Sequence, residues 1–153
     1  MSVNFRCRTL IAAEPSAVCA ASLSIDAHLA SMAASGERAV DGMTSGQIGL
    51  GDTVTWRARH FGVVWQMTSR VTELDAPSRF VDEQVRGPFQ RFRHEHLFDR
   101  RDSGTEMVDV ISFTAPLGPL GFLAEKLALQ RYLPHLIRER NRYLKQSLEN
   151  EPA

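Results

Sequence analysis

Alternation of apolar and polar residues defines most of this chain. Along residues 3–11, apolar side chains alternate with Asn4, Arg6 and Arg8, which predicts a half-buried strand. Runs with the same period of two follow, separated by short turns rich in glycine, proline and aspartate. The strands predicted in this way cover residues 3–11, 37–43, 53–61, 63–74, 79–86, 89–99 and 105–114.

Helical spacing replaces alternation in two places. Pro15 suits the first position of a helix, and Ser24 is a typical N-cap for a second short helix. Leucines and isoleucines recur at helical spacing over residues 119–149, which predicts a long amphipathic C-terminal helix. Pro134 lies inside this segment, so the helix either kinks there or is divided into two helices.

The order of these elements predicts the fold class. Consecutive strands joined by short turns form an antiparallel sheet, so the chain is expected to be an α+β protein. Two short helices follow the first strand, and a curved sheet closing around one long helix leaves a cavity between them. We expect a single domain over residues 1–149 and a frayed tail over residues 150–153.

Composition excludes several classes of function. The 18 basic and 18 acidic residues give a formal net charge of zero, which argues against nucleic acid as a partner. The run at residues 138–142 (RERNR) is interpreted as a solvated helix face. No apolar run is long enough to span a bilayer, and no secretory signal is evident. With two cysteines expected to be free and buried, the sequence predicts a cytoplasmic protein without a cofactor.

Two histidines on one predicted strand are the main candidates for chemistry. His94 and His96 are two residues apart and therefore point to the same face, between Phe92 and Phe98. Asp109 on the next strand reaches the same face if Phe98 pairs with Thr105, which would place Asp109 opposite His94. If Asp99 pairs with Thr105 instead, Asp109 points outward. We favour the first register because its inward face is larger and more apolar.

The histidine cluster has four interpretations. It is a polar anchor for a mostly apolar ligand, an acid–base pair in which Asp109 orients His94, a metal site completed by Asp109, or a set of histidines satisfied within the sheet. We favour the anchor and expect no metal. Asp82 and Glu83 are adjacent on a strand and face opposite ways, so only one of them can reach the cavity, and the pattern leaves open which.

Three stretches resemble a known superfamily. FVDEQVRGPFQRFRHEHLF at residues 80–98, GTEMVDV at 104–110 and PLGPLG at 116–121 are similar to the START/Bet v 1-like superfamily, in its polyketide cyclase/dehydrase and lipid-transport group. The resemblance covers essentially the whole chain and is strongest to small bacterial stand-alone members. It implies a helix-grip fold, with a seven-stranded antiparallel sheet wrapped around a long C-terminal helix and a deep pocket between them. Members bind lipids, sterols, polyketides, quinones or plant hormones, and some cyclise polyketides.

Together, pattern and resemblance predict a binder of a small hydrophobic molecule such as a lipid, a quinone or a polyketide-like compound. One alternative is a cyclase or dehydratase that uses His94 and Asp109. Another is a module that binds a protein partner through an exposed apolar patch. The residues expected to contact the ligand are Trp56, His60, Trp65, Met67, Phe92, His94, His96, Phe98, Asp109, Leu123 and Leu127.

Overall fold

A computed structural model describes residues 2–115 and 129–150. It contains seven strands, three α-helices and a short 3₁₀ helix (Ala33–Ser35) within those ranges. The strands are β1 (Ser2–Ile11), β2 (Arg38–Gly42), β3 (Thr53–His60), β4 (Val63–Asp75), β5 (Arg79–Arg86), β6 (Arg91–Arg101) and β7 (Gly104–Thr114). The helices are α1 (Pro15–Ser22), α2 (Ile25–Ser31) and α3 (Gln130–Glu149).

All seven strands form one antiparallel sheet in the order β1-β7-β6-β5-β4-β3-β2. This sheet and the long C-terminal helix confirm the α+β helix-grip fold predicted from the sequence. The elements form where the local signals placed them: Pro15 opens α1, and the Ser24 hydroxyl accepts a hydrogen bond from the backbone N–H of Ala27 at the start of α2. No helix in the described ranges is long and apolar enough to cross a membrane.

The long helix α3 packs lengthwise against the sheet. Pro134 lies within α3, which the structure describes as one helix from Gln130 onward. Two hydrogen bonds join the C-terminal end of α3 to the backbone at the end of β1. The Lys145 ammonium donates to the carbonyl of Leu10 at 2.7 Å, and the Glu149 carboxylate accepts from the backbone N–H of Ala12 at 2.9 Å. The predicted tail at residues 151–153 lies outside the described residues.

Two hydrophobic clusters divide the interior. One joins α1 and the C-terminal half of α3 to the sheet and includes Phe80, Phe98, Met107 and Leu144. The other consists of Phe92, Ile111 and Phe113, against which Phe89, Leu133 and Ile137 pack. On β6 the inward residues run Phe92, His94, His96, Phe98, so the two histidines lie between the clusters.

The register between β6 and β7 differs from the predicted one. Phe98 pairs with Met107 and not with Thr105, so His96 lies opposite Asp109 and His94 lies opposite Ile111. The shift is two residues because the turn consists only of Asp102 and Ser103, with Arg101 paired to Gly104. A shift of two preserves the face of every side chain, so Asp109 still points inward as the favoured register required.

Candidate functional site

A cavity of about 230 Å³ that is partly open to solvent lies between the β3–β4 hairpin and α3. The hairpin presents its inward residues to the cavity because Trp56 pairs with Met67 and Ala58 pairs with Trp65 across the strands. The described lining residues are His28, Met32, Glu37, Trp56, Ala58, His60, Phe61, Trp65, Met67, Pro88, Phe89, Phe92, Leu129, Tyr132, Leu133, Leu136, Ile137 and Arg140. The wall is therefore mostly aromatic and aliphatic, which suits an apolar ligand.

Two hydrogen-bonded pairs supply polar atoms to this apolar wall. The Tyr132 hydroxyl lies 2.6 Å from Nδ1 of His60, and Nε2 of His28 donates to the Glu37 carboxylate at 2.9 Å. Burial lowers the pKa of His60, although the charge of Glu37 partly opposes this. Burial and the same Glu37 charge raise the pKa of Tyr132. Near neutral pH the His60–Tyr132 pair is therefore uncharged, and it can donate or accept a hydrogen bond without the cost of burying an ion.

The hairpin tip forms one side of the cavity. Phe61 and Gly62 make a two-residue turn between His60 and Val63, and both turn residues have positive φ (54° and 73°). Positive φ is unfavourable for phenylalanine, and this conformation places the Phe61 ring 4.5 Å from the ring of Tyr132. Phe61 is nevertheless 63% exposed, and Val63 beside it is 52% exposed. The tip thus presents apolar surface both to the cavity and to solvent.

Five of the predicted ligand contacts line the cavity, and four do not. The five are Trp56, His60, Trp65, Met67 and Phe92. The four are His94, His96, Phe98 and Asp109, which are buried beside the cavity and are absent from its described lining. Leu123 and Leu127 lie outside the described residues. The polar side chains in the described wall are His28, Glu37, His60, Tyr132 and Arg140, of which only His60 was among the predicted ligand contacts.

His94, His96 and Asp109 instead belong to a buried polar cluster next to the cavity. Nε2 of His94 donates to Oδ1 of Asp109 at 2.7 Å, and the two imidazoles stack with their centroids 3.7 Å apart. Nε2 of His96 donates to Oδ2 of Asp82 at 2.7 Å. Asp82 is therefore the member of the Asp82–Glu83 pair that faces inward.

The helix α3 closes the cluster from above. Arg140 donates to Oδ1 of Asp109 at 3.3 Å, and the side-chain amide of Asn141 donates to Oδ2 at 2.7 Å. Both side chains are almost fully buried, with 4% and 2% of their surfaces exposed. The prediction of a solvated helix face was therefore wrong for these two residues, although Arg138 and Arg142 are exposed.

A sequence signal for this burial exists. Arg140, Asn141 and Leu144 continue the same helical stripe as Leu133 and Ile137, at spacings of three, four and seven residues. A charged residue within an apolar stripe is buried when a partner of opposite charge faces it, and here that partner is Asp109. Neither strand nor helix pattern alone indicates this pairing.

Charges in the cluster are set by its hydrogen bonds. Burial would raise the pKa of Asp109, but the hydrogen bond from His94 and the charge of Arg140 outweigh it and hold that pKa far below its usual range. Burial would also raise the pKa of Asp82, but the hydrogen bond from His96 outweighs burial and lowers that pKa. Burial, followed by the nearby charge of His94, lowers the pKa of His96 to about 4. Both carboxylates are therefore ionised at neutral pH, and His96 is neutral.

Comparison with known structures supports the fold. The protein TTHA0849 of Thermus thermophilus superposes with a TM-score of 0.78 at 17% identity, covering 95% of this chain and 97% of that one. The Zhui aromatase/cyclase of a Streptomyces species gives 0.75 at 16% identity, with coverages of 97% and 94%. Major latex-like protein 151 of Panax ginseng gives 0.64 at 12% identity, with coverages of 96% and 97%.

These similarities span essentially the whole length of each chain. The chain therefore shares the fold of these proteins, and it is the helix-grip fold predicted from the sequence. No protein-family model matches the sequence, and no curated protein matches it in sequence. At these identities the structural similarity establishes the fold, and function has to be argued from the site.

Proposed function

We propose that this protein binds a small, mostly hydrophobic molecule in the cavity between the β3–β4 hairpin and α3. The observation that carries the proposal is the cavity itself, with a volume of about 230 Å³ and a wall of mostly aromatic and aliphatic side chains. Protein interiors contain few voids larger than a water molecule, so a cavity of this size with an apolar wall is typical of a ligand site.

The polar atoms of the wall define what the ligand carries. The neutral His60–Tyr132 pair fits a carbonyl, hydroxyl or phenol group, which can join the existing hydrogen bond as donor or acceptor. Arg140 adds a cationic group, but it already donates to Asp109 and Asn141. An uncharged oxygen at one end of an apolar skeleton therefore matches this site better than a fully ionised ligand does.

Tryptophan fluorescence gives a direct test, because both tryptophans of the chain, Trp56 and Trp65, line the cavity. Titration with the uncharged fluorophore N-phenyl-1-naphthylamine is expected to quench their emission in a saturable manner with one molecule bound per chain. Ala58→Leu extends a side chain into the cavity and is expected to weaken binding at least about tenfold. The added side chain occupies space that the probe needs, and its packed neighbours can move aside only at a cost in free energy.

Ala34→Leu is the matched control, because Ala34 is exposed and lies outside the described cavity wall. Binding by the control should equal that of the unsubstituted protein. Binding that is equally strong in the Ala58→Leu protein would place the probe elsewhere and would refute the proposal for this cavity.

A second candidate function, a cyclase-type enzyme using His94 and Asp109, has one observation in its favour. The two side chains share a 2.7 Å hydrogen bond, the arrangement in which a carboxylate orients a histidine for proton transfer. The Zhui aromatase/cyclase has the same fold, so a cyclase activity is compatible with the architecture. Against it, neither residue is part of the described cavity wall, so a substrate in the cavity does not contact His94.

A further inference from the structure

We propose that Asp82, His94 and His96 form a binding site for a divalent transition-metal ion, with Asp109 as the carboxylate that orients both imidazoles. One oxygen of Asp82 and one nitrogen from each imidazole lie within 4.8 Å of one another. Two imidazoles and a carboxylate are a donor set typical of zinc and ferrous iron in proteins. This inference does not depend on the proposed function of the cavity.

The strand geometry places the three ligands together. His94 and His96 are alternate residues of β6 and share its inward face, and Asp82 of β5 is paired directly with His94 across the strands. These positions are fixed by the ladder of the sheet and do not depend on a loop. A site built on adjacent strands is rigid, which is what a metal centre requires.

Asp109 occupies the position of an outer carboxylate. A metal-bound histidine usually donates its other ring N–H to a carboxylate or carbonyl, which fixes its tautomer. Nε2 of His94 already donates to Asp109, so the lone pair of His94 resides on Nδ1. Asp109 in turn is held by Asn141 and Arg140 from α3, so its orientation is constrained on every side.

The second histidine carries an unexplained buried atom. Nδ1 of His96 has no hydrogen-bond partner among the described residues and lies 3.5 Å from Oδ1 of Asp109. An unpaired buried polar atom is costly. If a metal ion binds Nε2 of His96 in place of the proton now shared with Asp82, that proton moves to Nδ1. Nδ1 then faces an acceptor, and both imidazoles donate to Asp109.

Charge in the cluster also favours a cation. The carboxylates of Asp82 and Asp109 both face the two histidines, and Arg140 is the cation paired with Asp109. A divalent ion held by the three ligands would lie beside both carboxylates, in a part of the core where unopposed charge is expensive. Asp82, with 21% of its side chain exposed, provides the approach from solvent.

Cobalt and zinc titrations test the site. Tag-free protein is dialysed against a chelator and titrated with Co²⁺ near pH 7, and visible absorption and calorimetry report the coordination and the stoichiometry. We expect one Co²⁺ per chain with a ligand-field spectrum, displaced by one equivalent of Zn²⁺. In the zinc-loaded protein, the ¹⁵N resonances of His96 should show the proton on Nδ1.

Variants separate ligands from the orienting residue. Asp82→Asn and His96→Gln are expected to weaken Zn²⁺ binding by more than about 100-fold, because loss of an outer partner alone typically costs 10–100-fold. Asp109→Asn should fall within that smaller range. His135→Gln is the matched control, since His135 is exposed on α3 and should leave binding unchanged.

Two results would overturn the proposal. One is the absence of stoichiometric Co²⁺ or Zn²⁺ binding to the folded protein, which would mean that the cluster is neutralised by a proton. The other is binding that Asp82→Asn leaves intact. Asp82→Asn decides the matter even if His96→Gln fails to fold, because Asp82 is partly exposed and asparagine can still accept the hydrogen bond from His96.

Discussion

The cavity and the polar cluster are neighbouring regions of the same sheet, yet one is hollow and the other is filled. Both are lined by inward residues of antiparallel strands, and both contain histidines. The difference comes from α3. Over the β3–β4 hairpin, α3 presents the apolar side chains of Leu133, Leu136 and Ile137, which line the cavity. Over β6 and β7 it presents Arg140 and Asn141, which reach Asp109.

The comparison shows that strand alternation decides which face a side chain takes, and that the opposing helix decides whether that face is a pocket or a core. Arg140 belongs to both regions, since it contacts Asp109 and also lines the cavity. Substitutions in the cluster should therefore change stability most, and substitutions in the cavity should change binding most.

Asp109→Ala should destabilise the fold strongly. It leaves Arg140 buried without its carboxylate and removes the acceptor of His94, and breaking a buried ion pair from one side typically costs about 3–5 kcal/mol. Urea denaturation measures the change in the free energy of unfolding. Asp99→Ala, at an exposed position of the same hairpin, is the control and should change it by less than about 0.5 kcal/mol. A loss for Asp109→Ala as small as the control would mean that the cluster does not support the fold.

Acidification should destabilise the protein through the same cluster. The folded-state pKa of His96 is about 4, below the unfolded value of 6.5, so the unfolded chain binds more protons between these values. Stability is therefore fully present above pH 6.5 and falls as the pH is lowered towards 4, at up to about 1.4 kcal/mol per pH unit for one proton. The lowered pKa values of Asp82 and Asp109 act in the same direction at lower pH.

Urea midpoints of the metal-free protein at a series of pH values between about 7 and 4 check this slope. The groups facing His96 from the neighbouring elements are Asp82, Asp109 and Arg140, and His94 faces it from the same strand. His96→Gln removes the titrating group and should flatten the dependence. Stability that rises on acidification would show that His96 gains a proton on folding, which is the opposite of the proposed state.

Ala58→Leu should separate binding from stability. Ala58 is buried in the cavity wall, so a larger apolar side chain fills empty space, and the free energy of unfolding should change by less than about 1.5 kcal/mol. Binding of the fluorescent probe should nevertheless weaken, whereas the control Ala34→Leu should leave it unchanged. Strong destabilisation by Ala58→Leu would indicate that the cavity is smaller than 230 Å³ in solution.

Tyr132→Phe should have the smallest effect. It removes only the hydroxyl that lies 2.6 Å from Nδ1 of His60, and a hydrogen bond of this type contributes about 0.5–1.5 kcal/mol. Thermal denaturation measures that change. A ligand with a carbonyl or hydroxyl group should lose more affinity than a pure hydrocarbon of the same size. Equal losses of affinity for the two ligands would show that the His60–Tyr132 pair does not contribute to ligand recognition.

Sequence patterns predicted the fold better than the site, for a physical reason. Alternation with period two and turn residues specify strands locally, and they placed each strand of the sheet within a few residues. The predicted β6–β7 register was wrong by two residues. Only Asp102 and Ser103 form the turn, and the alternation of apolar and polar residues does not specify the length of a turn. A register shift of two residues leaves every side chain on the same face of the sheet, so Asp109 points inward in both registers.

The site depends on contacts between distant segments, which local patterns do not contain. Nothing near Arg140 indicates that Asp109 lies beneath it, 31 residues away in sequence. Tyr132 was missed for the same reason, because its hydroxyl meets His60 from a separate element. Trp56 and Trp65 were found because a hairpin places them together by local pairing alone.

The central claim is that the cavity beside α3 is a ligand site, and the indole N–H resonances of the protein test it most directly. Only two exist, from Trp56 and Trp65, and both residues line the cavity. Titration of ¹⁵N-labelled protein with N-phenyl-1-naphthylamine should shift both resonances along one saturable 1:1 curve, and Ala58→Leu should move that curve to much higher probe concentrations. Resonances that stay in place while surface amides move would contradict the account.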